Sequence, residues 1–129
     1  MDKISEFLTR IRNSGAARHE KVDVPASSVR VGLATALRDA GYIKNFKVVK
    51  DGKQGIMRIY LAYNEDGTHA ITSVRRASRP GRRWYVTCDN IPNVRSGYGT
   101  AIISTSKGIM SSKDATEKRL GGELLCTLY

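Results

Sequence analysis

The sequence predicts an α/β (α+β) protein made of two small subdomains. In the first half, two stretches with apolar residues at helical spacing alternate with short strand-like runs. The second half is mainly strand-like with short helices, and an arginine-rich segment around a Pro-Gly pair separates the halves. At 129 residues the chain can bury roughly two thirds of its unfolded surface. We therefore expect subdomains over residues 1–75 and 84–129, joined by a basic linker over residues 76–83.

The N-terminal subdomain is predicted to be an α-β-α-β-β sheet with two helices. Its first helix has an apolar face formed by Ile4, Phe7, Leu8 and Ile11. The arginines of that helix fall on other faces, which makes its outer side basic. This side is either a nucleic-acid contact or a solvated face, and the sequence favours neither.

The later elements of this half follow from caps and glycines. A short apolar run around Val22 and Val24 precedes a second helix. This helix is expected to begin after an N-cap at Ser27-Ser28 and to end at Gly41. Strands are expected over residues 42–50 and 56–63, joined by the glycine-containing connection 51–55. A further strand is expected over residues 70–75, against the same sheet.

The segment 75–83 carries the densest positive charge of the chain, with five arginines in nine positions. The whole chain has 22 Lys and Arg against 12 Asp and Glu, a formal charge of +10, which favours a polyanionic partner. Residues 75–129 contribute +6 of that charge and residues 1–74 contribute +4. We favour phosphate contact by Arg79, Arg82 and Arg83 over a soluble spacer.

The second half contains a short hydroxyl-rich loop, Ser104-Thr105-Ser106-Lys107-Gly108, between two apolar strand-like runs. Hydroxyls hydrogen-bond base edges, phosphates and the RNA 2′-hydroxyl, while Lys107 supplies a cation and Gly108 a close backbone approach. Taken alone, such a pentapeptide is more often an ordinary turn. The flanking elements are expected to be a strand over residues 84–88, an irregular segment over 92–99, a brief helix capped by Ser111, and a strand over 124–129.

Several classes of function find no support in the sequence. Cys88 and Cys126 form no metal-binding pair and are expected to be reduced, buried thiols of a cytoplasmic protein. His19 and His69 lack partners at ligand spacing and are expected to be solvated, so no metal or cofactor is predicted. No phosphate-binding loop, nucleophile elbow or carboxylate cluster is present, which argues against an enzyme. No membrane segment or small-molecule substrate is indicated.

Three parts of the chain resemble a known family, the small-subunit ribosomal protein eight family of bacterial type. Its C-terminal signature is similar to the hydroxyl loop with Ile109-Met110, followed by Gly121-Gly122-Glu123 and Cys126. The segment Leu8–Asn13 resembles that family's first helix, and Ser78–Arg83 resembles its interdomain linker. The similarity extends over essentially the whole chain.

The resemblance implies a protein that binds the central domain of small-subunit rRNA directly and helps assemble the platform beside neighbouring ribosomal proteins. The family's main RNA-contacting loop would fall on Ser104, Thr105, Ser106, Lys107 and Gly108. The family's aromatic contact would fall on Tyr85, and the acidic residue at which its chain enters a strand would fall on Glu123.

Alternatives stay open at these transferred positions. Tyr85 either stacks on RNA or is a core aromatic. Glu123 braces the loop, accepts a hydrogen bond from a base, or is a plain surface residue. A second and weaker contact area is expected on the first helix, from Lys3, Thr9, Arg10 and Arg12. The rival function is a general basic RNA-binding module outside the ribosome.

Overall fold

A computed structural model describes residues 3–50, 52–53 and 55–129, which lie in two compact units, Met1–Ile71 and Thr72–Tyr129. The predicted connection 51–55 lies partly outside the described residues, because Asp51 and Gln54 are not among them.

The first unit has the predicted order α-β-α-β-β. Its elements are α1 (Lys3–Ala16), β1 (Lys21–Pro25), α2 (Ser28–Asp39), β2 (Ile43–Val49) and β3 (Ile56–Leu61). The strands form an antiparallel sheet in the order β1-β3-β2. Helix α2 begins as predicted, because the Ser27 hydroxyl accepts a hydrogen bond from the Arg30 N–H. It is followed by Gly41, whose φ of 85° is the left-handed conformation that glycine adopts without strain.

The second unit is a five-stranded antiparallel sheet with one short helix. Its elements are β4 (Val74–Arg76), β5 (Tyr85–Val86), a 3₁₀ turn (Val94–Gly97), β6 (Thr100–Thr105), β7 (Gly108–Ser111), α3 (Ser112–Glu117) and β8 (Gly122–Leu128). Strand β8 pairs with β4 and β5 on one edge and with β6 on the other, while β7 pairs with β6. Apolar side chains of β6, β7, β8 and α3 form one core cluster: Ala101, Ile103, Met110, Ala115 and Leu124.

The strand predicted over residues 70–75 is wrong in its extent and in its sheet. The observed strand is Val74–Arg76, and it pairs with β8 of the second unit, with Val74 opposite Leu128. The next two residues continue this pairing, since the N–H groups of Ala77 and Ser78 donate to carbonyls of β8. Residues 76–78 of the predicted linker are therefore paired with β8 of the second unit, while the division into subdomains at residues 76–83 stays a prediction.

One thiol and one histidine differ from their predicted environments. Cys126 is buried, and this burial raises the pKa of its thiol to about 12. Cys88 is a free thiol but only half-buried, so its predicted burial is wrong. His19 is exposed, whereas His69 is half-buried: a Cβ added at Gly15 would lie 2.2 Å from its Nδ1. Burial lowers the pKa of His69.

Membrane-spanning helices and clustered metal ligands bear on the function classes considered above. Within the described part of the chain, no helix is long and apolar enough to cross a membrane. Over the same residues, no group of three His, Cys, Asp or Glu side chains is arranged to hold a metal ion.

Candidate nucleic-acid interface

The hydroxyl-rich segment is the tip of the β6–β7 hairpin, and it is tighter than the predicted five-residue loop. Ser104 and Thr105 belong to β6 and Gly108 begins β7, so the turn itself consists of Ser106 and Lys107. Gly108 has a φ of 112°, which a residue with a side chain rarely adopts. The prediction that residues 104–108 form one loop is therefore wrong, because only Ser106 and Lys107 lie outside the two strands.

The hydroxyls of this turn have different surroundings. The Thr105 hydroxyl donates to the Gly108 carbonyl at 2.8 Å and accepts from the Lys107 N–H at 3.1 Å. It therefore holds the turn together, which leaves it little capacity for a ligand. Ser106 and Lys107 are exposed, and Ser104 is half-buried. The ordinary-turn reading fits Thr105, while Ser106 and Lys107 project from the tip as a binding element would.

The arginine-rich segment forms a second tight turn. The backbone N–H groups of Arg79 and Arg82 donate to each other's carbonyls at 3.1 and 2.9 Å, with Pro80-Gly81 between them. Both arginine side chains are exposed, and neither forms a hydrogen bond or ion pair with a described residue. Both guanidinium groups are therefore available to an external anion.

Glu123 braces this turn against β8. Its Oε2 accepts hydrogen bonds from the Ser78 hydroxyl and from Arg83 Nη1, the latter at 2.9 Å. Ser78 is completely buried, and its hydroxyl also accepts from the Trp84 N–H at 3.0 Å. Burial alone would raise the pKa of Glu123, but the hydrogen bonds from Ser78 and Arg83 outweigh it, so the pKa lies below its ordinary value. Glu123 therefore braces the arginine turn, so the plain-surface alternative is wrong. The alternatives that it braces the hydroxyl loop or accepts a hydrogen bond from a base stay predictions.

Two exposed aromatic residues follow the arginine turn. Tyr85 is 68% exposed, so the core alternative for this residue is wrong, and Trp84 is 49% exposed. A groove is lined by these two rings together with Arg76, Ala77, Arg79, Arg82 and Arg83. Trp84 and the buried Ser78 were missed by the sequence analysis. The position of Trp84 directly after Arg82-Arg83 was the available signal.

The turn and the groove lie at the same end of the second unit's sheet. Glu123 on β8 is opposite Tyr85 on one side and opposite Ser104 on the other. The two preceding glycines permit this close pairing. A Cβ added at Gly122 would lie 2.0 Å from the Ser104 carbonyl oxygen, and one at Gly121 would lie 2.5 Å from that of Val86. Neither position can carry a side chain without displacing a neighbouring strand.

The predicted contact area on α1 belongs to the first unit and is not part of this groove. Arg10 donates to the Asp23 carbonyl at 2.8 Å and lies 3.8 Å from Glu6, so its guanidinium is already engaged within the chain. Lys3 and Arg12 are exposed, and Thr9 is half-buried.

A family model described as Ribosomal protein S8 matches residues 2–129 of this chain. The chain belongs to the ribosomal protein S8 family. It is 67% identical over 129 residues to the small ribosomal subunit protein uS8 of Bdellovibrio bacteriovorus, with full coverage of both chains. It is 52% identical to the protein of that name from Geotalea daltonii and 49% identical to the one from Syntrophomonas wolfei, covering 99% of this chain and 97% of each relative.

The resemblance inferred from the hydroxyl loop and Gly121-Gly122-Glu123 is thus confirmed. At the Glu123 end of β8, this S8-family chain combines cations, exposed aromatic rings and exposed hydroxyl and backbone groups. This combination suits an RNA with accessible phosphates and at least one unstacked base.

Proposed function

We propose that this chain is a structural component of the small ribosomal subunit, where it binds the central domain of the rRNA directly and helps assemble the platform. Its partners are that rRNA and neighbouring ribosomal proteins, and its place of action is the cytoplasmic ribosome. Membership of the S8 family and the 67% identity to a small ribosomal subunit protein support this role. They also favour a non-enzymatic role, which agrees with the lack of catalytic motifs in the sequence.

The observation that carries the RNA-binding proposal is the meeting of two elements at the Glu123 end of β8. The Ser106-Lys107 turn lies beside one edge of the strand, and the arginine and aromatic groove lies beside the other. Arginine guanidinium groups contact phosphates whatever the base sequence of the RNA, whereas hydroxyl side chains on a tight turn recognise the local shape of the RNA. The arginines thus supply affinity, and the turn supplies selectivity.

The residues take distinct parts in this proposal. Arg79 and Arg82 contact phosphates and supply affinity, Tyr85 stacks on an unstacked base, and Ser106 with Lys107 supplies selectivity. Ser104, Thr105 and Gly108 position the turn. Glu123 acts by holding Arg83 and the buried Ser78 in place.

The α1 residues are a weaker part of the same proposal. Lys3 and Arg12 are exposed candidates for phosphate contact. Thr9 is less accessible, and Arg10 would have to give up its bond to the Asp23 carbonyl to reach a ligand.

The experiment that tests the function is a salt titration of binding to a central-domain rRNA fragment, beside a duplex of equal length and unrelated sequence. We expect the fragment to bind more tightly at every salt concentration, because the turn adds contacts that do not depend on counterion release. Equal affinities and equal salt slopes for both RNAs would favour a general basic RNA-binding module outside the ribosome.

A further inference from the structure

The opposite end of the second unit's sheet carries another basic and aromatic surface, which the RNA interface described above does not use. Tyr98 is 89% exposed, the highest value among the large hydrophobic residues that are exposed in the described chain. It shares a depression with Arg95, Ser96 and Tyr129. We call this region, together with the adjoining Ser73, Arg75 and Thr127, the Tyr98 surface.

The Tyr98 surface is remote from the Ser106-Lys107 turn along β8. Thr127 is opposite Arg75, and Leu128 is opposite Thr100 at the start of β6. The turn lies beside Gly122 and Glu123, at the other end of the strand. Six residue steps at a rise of about 3.3 Å separate the two ends by about 20 Å. One ligand group cannot contact both.

The chemistry of the Tyr98 surface matches that of a nucleic-acid site. The Arg95 guanidinium lies 4.1 Å from the centre of the Tyr129 ring, a cation–π contact, and both residues line the same depression as the exposed Tyr98. Arg75 is exposed and pairs in register with Thr127, so a cation and a hydroxyl occur side by side. Among the described residues that line the surface, none is acidic.

The backbone holds Tyr98 in this exposed position. Arg95 and Ser96 have φ values of 50° and 54°, left-handed conformations that residues other than glycine rarely adopt. The turn is closed by hydrogen bonds from the Tyr98 N–H to the Arg95 carbonyl and from the Gly99 N–H to the Val94 carbonyl. A Cβ at Gly99 would lie 2.4 Å from Val94, which packs against the core of the unit. The Tyr98 ring is therefore presented on an anchored turn.

We propose that the Tyr98 surface is a second RNA contact, which takes a single-stranded segment with an unstacked base. The base stacks on Tyr98 and the Arg95 guanidinium, and Arg75 contacts the adjacent phosphate. The Ser73 and Thr127 hydroxyls are placed to contact the 2′-hydroxyl. The inference goes beyond the proposed function, because it assigns this chain two separate RNA segments.

The test uses the full-length protein with its first interface occupied. The protein is saturated with the central-domain rRNA fragment, and a fluorescent twelve-nucleotide oligouridine is then titrated into the complex. We expect the oligouridine to bind, and Tyr98→Ala to weaken it by about 5-fold to 100-fold, since stacking on one aromatic ring is worth that much. Tyr98→Phe keeps the ring and should bind as the unmodified protein does. Arg75→Gln should lower the slope of log affinity against log salt by about 0.7.

The outcomes separate this inference from the proposed function. Failure of the rRNA fragment to bind would count against the proposed function alone. The oligouridine titration would then use Tyr85→Ala protein, which lacks the aromatic ring of the groove beside the arginine turn. Absence of oligouridine binding, or equal binding by Tyr98→Ala protein, would overturn the second contact. Tyr98-dependent binding of a polyglutamate peptide without oligouridine binding would overturn it in favour of a protein partner. Equal thermal unfolding of the Tyr98→Ala and unmodified proteins would show that the exposed ring is not needed for folding.

Discussion

Two arginines of the first unit and two of the second serve different purposes, although both units are basic. In the first unit, Arg10 and the buried Arg30 donate to backbone carbonyls and lie within 3.8 Å of Glu6. In the second unit, the Arg79 and Arg82 side chains are exposed on a turn held by its own backbone. Charge density alone therefore does not locate an interface. What matters is whether each cation is already satisfied within the chain.

The largest expected effect follows from the exposed aromatic ring of the second unit. Tyr85→Ala should weaken binding of the central-domain fragment by about 5-fold to 100-fold, because a base would lose its stacking partner. Fluorescence anisotropy measures this affinity, and Tyr85→Phe is the matched control that keeps the ring. Equal binding by the alanine variant would show that Tyr85 contributes no stacking.

Matched arginine substitutions in the two units test this difference. The double variant Arg79→Ala with Arg82→Ala should lower the slope of log affinity against log salt by about 1.4 to 1.8, if each arginine neutralises one phosphate. Arg10→Ala should leave this slope unchanged and lower the thermal stability of the first unit, because it removes a bond to β1. A larger change of slope from Arg10→Ala than from the double variant would reverse the comparison.

A smaller effect is expected from the two hydroxyls of the hairpin. Ser106→Ala should cost about 0.5 to 1.5 kcal/mol of binding free energy, the worth of one ordinary hydrogen bond, without changing the melting temperature. Thr105→Val removes the hydroxyl that holds the turn, so it should lower both the melting temperature and the affinity. Calorimetry and RNA titration on both variants separate the roles. A stability loss from Ser106→Ala would mean that its hydroxyl is structural after all.

The smallest expected effect is a difference in the acid sensitivity of the two units. Burial depresses the pKa of His69 below its ordinary value of 6.5, so the fold favours the neutral ring and the first unit loses stability as the pH falls below 6.5. The pKa of Glu123 lies below its ordinary value of 4.5, so its contribution is complete above pH 4.5 and is lost as the pH falls through the folded-state pKa.

Hydrogen exchange at pH 7.0, 5.5 and 4.0 tests this order. Amides of β3 should lose protection at higher pH than amides of β8. Glu123→Gln should flatten the response of β8 at the lowest pH and leave β3 unchanged. Earlier loss of protection in β8 would contradict the assignment of these two groups.

The sequence predicted local elements well and long-range partners poorly. The caps at Ser27 and Ser111 and the helical spacing of the first unit are local signals, and the corresponding helices were found. The strand at Val74–Arg76 was assigned to the wrong sheet, because nothing near it indicates pairing with β8 about fifty residues later. Pairings of such separation are not encoded in local periodicity.

The candidate site shows the same division. The hydroxyl turn and the arginines were found from residue type alone, and the family resemblance pointed to Tyr85. That the Thr105 hydroxyl is consumed within the turn depends on side-chain direction. That Ser78 supports Glu123 depends on a contact across 45 positions, which spacing cannot reveal.

Gly121 and Gly122 have a consequence for what kind of RNA can be recognised. Because neither has a side chain, β5 and β6 both pack tightly on β8, and their axes lie about 10 Å apart, two strand spacings. Tyr85 and Ser106 are therefore held on supports of fixed width. An RNA that engages both must present its two groups at the matching separation, which a rigid folded helix can do and a flexible strand does only at an entropic cost. The absence of side chains at Gly121 and Gly122 thus sets the separation that the two contacting groups of a ligand must match.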